Sequence, residues 1–170
     1  MVMRFTKLFF AAAVLSAAFA TAVCAQNLVN LNPGRSLPRT AVVQYLYPEQ
    51  IHIKAGQSTP VALHFRVADG MHINSHTPSQ YYLIPTTFTL PKDSKVRLES
   101  IHFPEGSNFT LPLDPKTRLS VYTGEFVVNT HFVSPAGDHL LEGKLHFQAC
   151  NDTQCMPPET ITVPIDVVAH

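Results

Sequence analysis

Residues 61–68 read "VALHFRVA": Val61, Leu63, Phe65 and Val67 take every second place, with Ala62, His64, Arg66 and Ala68 between them. Successive side chains of an extended chain point to opposite sides, so this period gathers the larger apolar groups on one face of a strand. The same alternation returns at Leu145, Phe147 and Ala149 against Lys144, His146 and Gln148. It returns again at Ile161, Val163, Ile165 and Val167 against Thr162 and Asp166. Pro164 has no N–H to give, which marks the last segment as an edge strand or a bulged one.

Shorter segments of strand character lie at 42–47, 50–54, 71–75, 83–90, 95–103 and 120–132, set apart by turn signals such as "AGQ", "DG", "PKD", "PEG" and "SPAGD". No stretch carries a helical period. About seven to nine strands, with 14 prolines among the connections, predict an all-β fold, an immunoglobulin-like antiparallel β-sandwich. The segment from Pro104 to Ser120, "PEGSNFTLPLDPKTRLS", reads as one long connection holding Phe109, Leu111 and Leu113. Two readings stand for it: a functional cover, or a wandering strand that packs its apolar residues on the sandwich edge.

With 170 residues, 45% of them hydrophobic and 14% charged, the chain suffices for one domain with a core, expected over 41–170. Twelve basic residues balance twelve acidic ones and form no run, which argues against a nucleic-acid partner. Residues 1–25 read as a secretory signal peptide: Arg4 and Lys7, then "LFFAAAVLSAAFATAV", then "VCA" before Gln26. The apolar run is shorter than the roughly 20 residues of a membrane span. Val23 is bulkier than lipid attachment at Cys24 favours. Cleavage near Ala25 places the product in the periplasm or outside the cell, with residues 26–40 as a flexible lead-in.

Cleavage leaves Cys150 and Cys155, for which a disulfide is the default in an oxidising compartment. Closing a ring of about six residues stabilises by only roughly 2 kcal/mol, so the bridge is a weak staple. Short bridges are often constrained and easier to reduce. A redox-active pair and an inert disulfide both remain open on spacing alone. Soft-metal binding by Cys150, Cys155 and Met156 falls short of ligands, since the nine histidines are scattered, mostly at outward strand positions. No metal and no small-molecule cofactor is expected. Hydrolase and phosphate-loop signatures are absent from the sequence. Asn108 and Asn151 begin glycosylation-type triplets, relevant only in a eukaryotic secretory route.

The segment "FQACNDTQCMPPET", residues 147–160, resembles the redox-cysteine segment of the N-terminal periplasmic domain of DsbD, the thiol:disulfide interchange protein. "DGMHINSHTPSQYYLIPTTFTL" at 69–90 resembles the early strand pair of that domain, and "LSVYTGEFVV" at 119–128 the strand after its cap loop. The similarity spans about residues 41–168. It implies an immunoglobulin-like thiol:disulfide oxidoreductase module, a protein-disulfide reductase that relays electrons from a membrane-embedded donor to periplasmic thioredoxin-like partners. Disulfide isomerases and proteins of cytochrome c maturation are of that kind. With the chain ending at His170, the donor is expected to be a separate polypeptide.

In such a module Cys155 forms the mixed disulfide and Cys150 resolves it. The resemblance also puts a cap loop over the pair at 104–120, with Phe109 as its aromatic, and site-flanking positions at His72 and Asn74. The acid-aromatic cluster of the family's cap is not reproduced. His72 and Asn74, two apart on a strand, either both face the cysteines, with His72 aiding thiolate formation, or are solvated polar residues on an outer face. The alternative function is a secreted immunoglobulin-like binding or structural domain with an inert disulfide.

Overall fold

The computed structural model describes residues 41–47, 50–112 and 114–170. The leader and lead-in expected over 1–40, with Cys24, lie outside the described residues, as does Leu113. The alternation read from the sequence orders the core. In β3 (Thr59–Val67) Val61, Leu63, Phe65 and Val67 are buried, and in β9 (Glu125–Val133) so are Phe126, Val128 and Phe132. In β10 (Gly137–Phe147) Leu141, Leu145 and Phe147 turn inward, as do Val163, Ile165, Val167 and Ala169 of β12 (Glu159–Ala169). These residues belong to one apolar cluster. Each fully buried large side chain among them contributes about 1.5–3 kcal/mol relative to exposure. Thr130 is the polar member of the β9 row, and its hydroxyl donates to Val61 O at 2.8 Å.

The remaining strands are β1 (Val43–Leu46), β2 (Gln50–Ile53), β4 (His72–Asn74), β5 (Thr87–Thr89), β6 (Arg97–His102), β7 (Ser107–Leu111), β8 (Asp114–Tyr122) and β11 (Ala149–Cys150). One sheet runs β1-β3-β9-β6 and a second β2-β12-β10-β5, and both send buried side chains into the shared core of a sandwich. A third sheet, β11-β4-β8-β7, carries the cysteine segment.

Several expectations are corrected here. The described residues hold twelve strands rather than seven to nine. Residues 120–132 are not one strand. Gly124 adopts φ 57°, a left-handed conformation that glycine takes without steric cost, and the chain passes there from β8 in one sheet to β9 in another. Residues 83–86 stay outside β5, where Pro85 offers no N–H to a ladder. The antiparallel sandwich holds as expected, with one parallel pair among the described residues, β2 with β12 from Gln50↔Asp166 to Ile53↔Ala169. That pairing reaches only the second half of β12, so Pro164 sits where β12 has a single neighbour, as an edge proline should.

The largest correction concerns 104–120. It is not a long connection but holds β7 and the greater part of β8, paired from Ser107↔Val121 to Thr110↔Arg118 with a register shift before Leu111. This agrees with the edge-strand reading, since β7 closes one side of the third sheet. Gly106 sets the approach. A Cβ built there would lie 2.2 Å from Ser120 Oγ and 2.7 Å from Ser75 Cβ, two residues whose hydroxyls bond at 2.8 Å. Tyr122 secures the same corner: its hydroxyl donates to Pro104 O (2.9 Å) and accepts from His76 N–H (3.1 Å). Gly106→Ala is expected to cost about 1–3 kcal/mol by overpacking, measured by urea denaturation. A gain of about 0.4–1 kcal/mol, the usual result at an unstrained glycine, would contradict this account.

Candidate functional site

The cysteines lie on a two-residue hairpin that local chemistry builds without help from the bridge. Asn151 N–H donates to Gln154 O (2.9 Å), and Met156 N–H to Ala149 O (2.8 Å). Between these bonded pairs Cys150 and Cys155 face each other across an antiparallel bridge. At such non-hydrogen-bonded positions paired backbones come closest. The two Cα atoms are 3.9 Å apart, and the sulfurs are joined at 2.03 Å. Asn151 Oδ1 accepts from Thr153 N–H, the Thr153 hydroxyl and Gln154 N–H, each at 2.9 Å, the Asx-type turn that asparagine favours. Pro157 and Pro158 then end the ladder, for want of N–H donors. Beyond Cys155, the Gln148 side chain ties down the returning strand by donating to Met156 O (3.2 Å).

The two cysteines are unequally placed. Cys150 is 2% exposed, whereas Cys155, on the outer arm of the hairpin, is exposed. The difference follows from sheet register. Cys150 is opposite His72 in the β11–β4 pair, Asn74 is opposite Val121 in β4–β8, and Leu119 is opposite Phe109 in β8–β7. Directly opposed residues share a face, as do residues two apart. One face of the third sheet therefore presents Cys150, His72, Asn74, Val121, Leu119 and Phe109 together. Cys155 belongs to no ladder beyond its single bridge.

A cleft of about 350 Å³ opens beside the disulfide, lined by both cysteines, His72, Tyr82, Leu83, Leu111 and Leu119, with Asp114 and Asp152 on its walls. His72 is thus brought to the cysteines. Phe109 is not on this lining. It packs on the far side of His72, ring centroids 4.2 Å apart, and borders an adjoining depression with His72 and Asp152. Asn74 is a brace: its amide donates to Ile84 O (3.0 Å) and Gln148 Oε1 (3.4 Å), linking β4 to the residue that holds the hairpin.

The reading of His72 and Asn74 as solvated polar residues is corrected, since they are 2% and 1% exposed. Phe109 covers one, and the chain at Ile84 covers the other. Tyr82, Leu83 and Leu119 enter the site without having been singled out by spacing. Their one sequence signal is the adjacent pair Tyr81-Tyr82, whose rings, 98% and 63% exposed, stand edge to face at 5.5 Å.

Burial pushes the His72 pKa below the ordinary histidine value, with the charge of Asp152 opposing in part. The unfolded chain therefore binds a proton at about pH 6.5 that the folded protein accepts only at lower pH. Between those two pKa values the unfolded state holds more protons, so stability falls as pH falls and is fully present above the unfolded value. Urea midpoints measured from pH 7 downward should drop more steeply for the wild type than for His72→Gln. Parallel curves would contradict it. Among the described residues no group of three or more His, Cys, Asp or Glu side chains is placed to hold a metal ion.

The chain belongs to the family of the N-terminal domain of the thiol:disulfide interchange protein DsbD, whose family model matches residues 43–166. Its sandwich is accordingly of immunoglobulin-like type. Among solved structures, the Neisseria meningitidis DsbD N-terminal domain in the reduced form is similar at 20% identity and a TM-score of 0.43, covering 65% of this chain and 79% of that one. The complex between the DsbD N-terminal and PilB N-terminal domains of Neisseria meningitidis is similar at 19% identity and a TM-score of 0.44, covering 75% and 85%. No curated protein matches the chain.

Proposed function

We propose that the protein is a periplasmic thiol:disulfide exchange module, acting as a protein-disulfide reductase. It passes electrons from a separate membrane-embedded donor to thioredoxin-like partners through Cys150 and Cys155. The observation that carries this reading is the unequal exposure of two bonded cysteines on one short hairpin, 2% for Cys150 against an exposed Cys155. Exchange needs one sulfur open to in-line attack by an outside thiolate and a second behind it to complete the reaction. In the reduced module Cys155 attacks the partner's disulfide, and Cys150 then attacks Cys155 and releases the partner as a dithiol. Family membership supports the reading, and so does the bridge's weakness as a staple.

Exposed Tyr82 on the cleft lining, with the ring of exposed Tyr81 packed against it, offers the rigid amphipathic surface that partner docking favours. The β7–β8 hairpin serves as the cap through Phe109, which covers His72 rather than the sulfurs. The test mixes the reduced protein with an oxidised thioredoxin-like protein, quenches with an alkylating agent, and counts free thiols by mass. Transfer of two electrons, lost in Cys155→Ser, is the expected result. No transfer in either direction with several such partners would overturn the proposal.

A further inference from the structure

We infer that His72 is the proton acceptor for the buried thiol of Cys150 when Cys150 resolves a mixed disulfide held at Cys155. The inference rests on the proposed exchange function and adds a residue to it. His72 and Cys150 are direct cross-strand partners, so their side chains share a face at neighbouring positions, and both line the cleft that also holds Cys155.

His72 is 2% exposed, and its Nε2 has no hydrogen-bond partner among the described residues. A buried nitrogen left without a partner is destabilising. In the oxidised protein Cys150 has no proton to offer. Reduction creates an S–H donor on the residue directly across the ladder from His72.

The surroundings make a base necessary. Cys150 is 2% exposed, and burial disfavours a charged sulfur, while only the thiolate attacks a disulfide. The described residues lining the cleft include no lysine or arginine. The charged or titratable groups around His72 are Asp114 of β8, Asp152 of the cysteine turn, Tyr82 of the 75–86 connection, Asp69 across the adjoining depression, and the two cysteines. Asp114 is held ionised by the Thr117 hydroxyl and by backbone N–H groups. A carboxylate is far too weak a base for a thiol and repels a thiolate. His72, kept neutral by its burial, is the one group there suited to take the proton and leave an imidazolium beside the thiolate.

The step balances without an outside oxidant. The Cys150 S–H proton moves to His72 Nε2, and the Cys150 thiolate attacks Cys155 Sγ. The bond from Cys155 to the partner breaks, and the Cys150–Cys155 bond forms. The partner leaves as a thiolate carrying the electron pair and recovers the proton from the imidazolium.

Reduced protein treated with an aromatic disulfide reagent should release two equivalents of coloured thiolate, the first by attack of Cys155 and the second by Cys150. In His72→Gln the rate of the second phase relative to the first should fall about tenfold or more near neutral pH. Its rate should then climb steeply with pH, where the wild type is flatter. In a Cys155→Ser background, ultraviolet thiolate absorbance should show Cys150 ionising at higher pH once His72→Gln is added. This second readout needs no turnover and keeps the test decisive if the variant folds less stably. An unchanged second phase with an unchanged Cys150 titration overturns the role of His72. Absence of a second phase in the wild type would instead sink the exchange reading itself.

Discussion

Cys150→Ser is expected to turn the protein into a trap. Incubated reduced with an oxidised thioredoxin-like protein, it should accumulate a covalent adduct through Cys155 that persists until an added thiol cleaves it. The reciprocal variant, Cys155→Ser, should form none. The asymmetry has a structural cause. Cys155 is exposed on the outer arm, and Cys150 is 2% exposed beneath it, so an incoming disulfide meets only one sulfur. Release normally relies on a neighbouring thiol whose attack is intramolecular and well oriented. Replacing it by a dilute external thiol forfeits that advantage and should lengthen the adduct's life by at least about a thousandfold. Mass analysis of the alkylated, non-reduced mixture reads the outcome. Equal adduct from both variants would mean that the hairpin opens to expose either sulfur.

The second large effect is on stability and separates a staple from an exchanging bridge. Phe147 is 0% exposed at the end of β10, paired with Glu159 just before the cysteine hairpin. Phe147→Ala removes a core side chain and leaves a cavity, at an expected cost of about 3–5 kcal/mol. Removing the bridge through Cys150→Ser with Cys155→Ser should cost only about 2 kcal/mol, since the closed ring is small. Hydrogen bonds from Asn151, Gln154 and Met156 still form the turn. Urea denaturation of the two variants beside the wild type gives the comparison. A bridge whose loss cost as much as Phe147→Ala would be structural.

How far these features could be read from the sequence depends on whether the deciding interaction is local. The rows Val61 to Val67 and Ile161 to Val167 show their buried face by period alone, because one neighbour sheet covers one side. The hairpin turn at Asn151-Asp-Thr-Gln154 is likewise local, an asparagine bonding to residues two and three ahead. Residues 104–120 hid a strand pair because three prolines interrupt a period that Phe109 and Leu111 do keep. The parallel partnership of β2 with β12 has no local signature, as a strand's period does not name its neighbour. Burial of His72 was hidden for a related reason. Both faces of β4 are covered, the second by Phe109 from about 37 residues along the chain, a distance at which no spacing rule operates.

Phe109 also shows what resemblance supplied and what geometry changed. The cap position was carried over from the family, and the ring does cover the site's edge. It lies on His72, outside the lining of the cysteine cleft. The cleft beside the disulfide is lined instead by Leu111, Leu119 and Tyr82, among others.

The central claim is that the Cys150–Cys155 bridge is made and broken in use, and the most direct measurement is its reduction potential. Equilibrating the native protein in glutathione or dithiothreitol buffers of graded potential, with alkylation and mass analysis, gives the value. The account predicts a potential above about −300 mV, in the range of exchanging pairs. A value below about −300 mV, typical of structural disulfides, would contradict it.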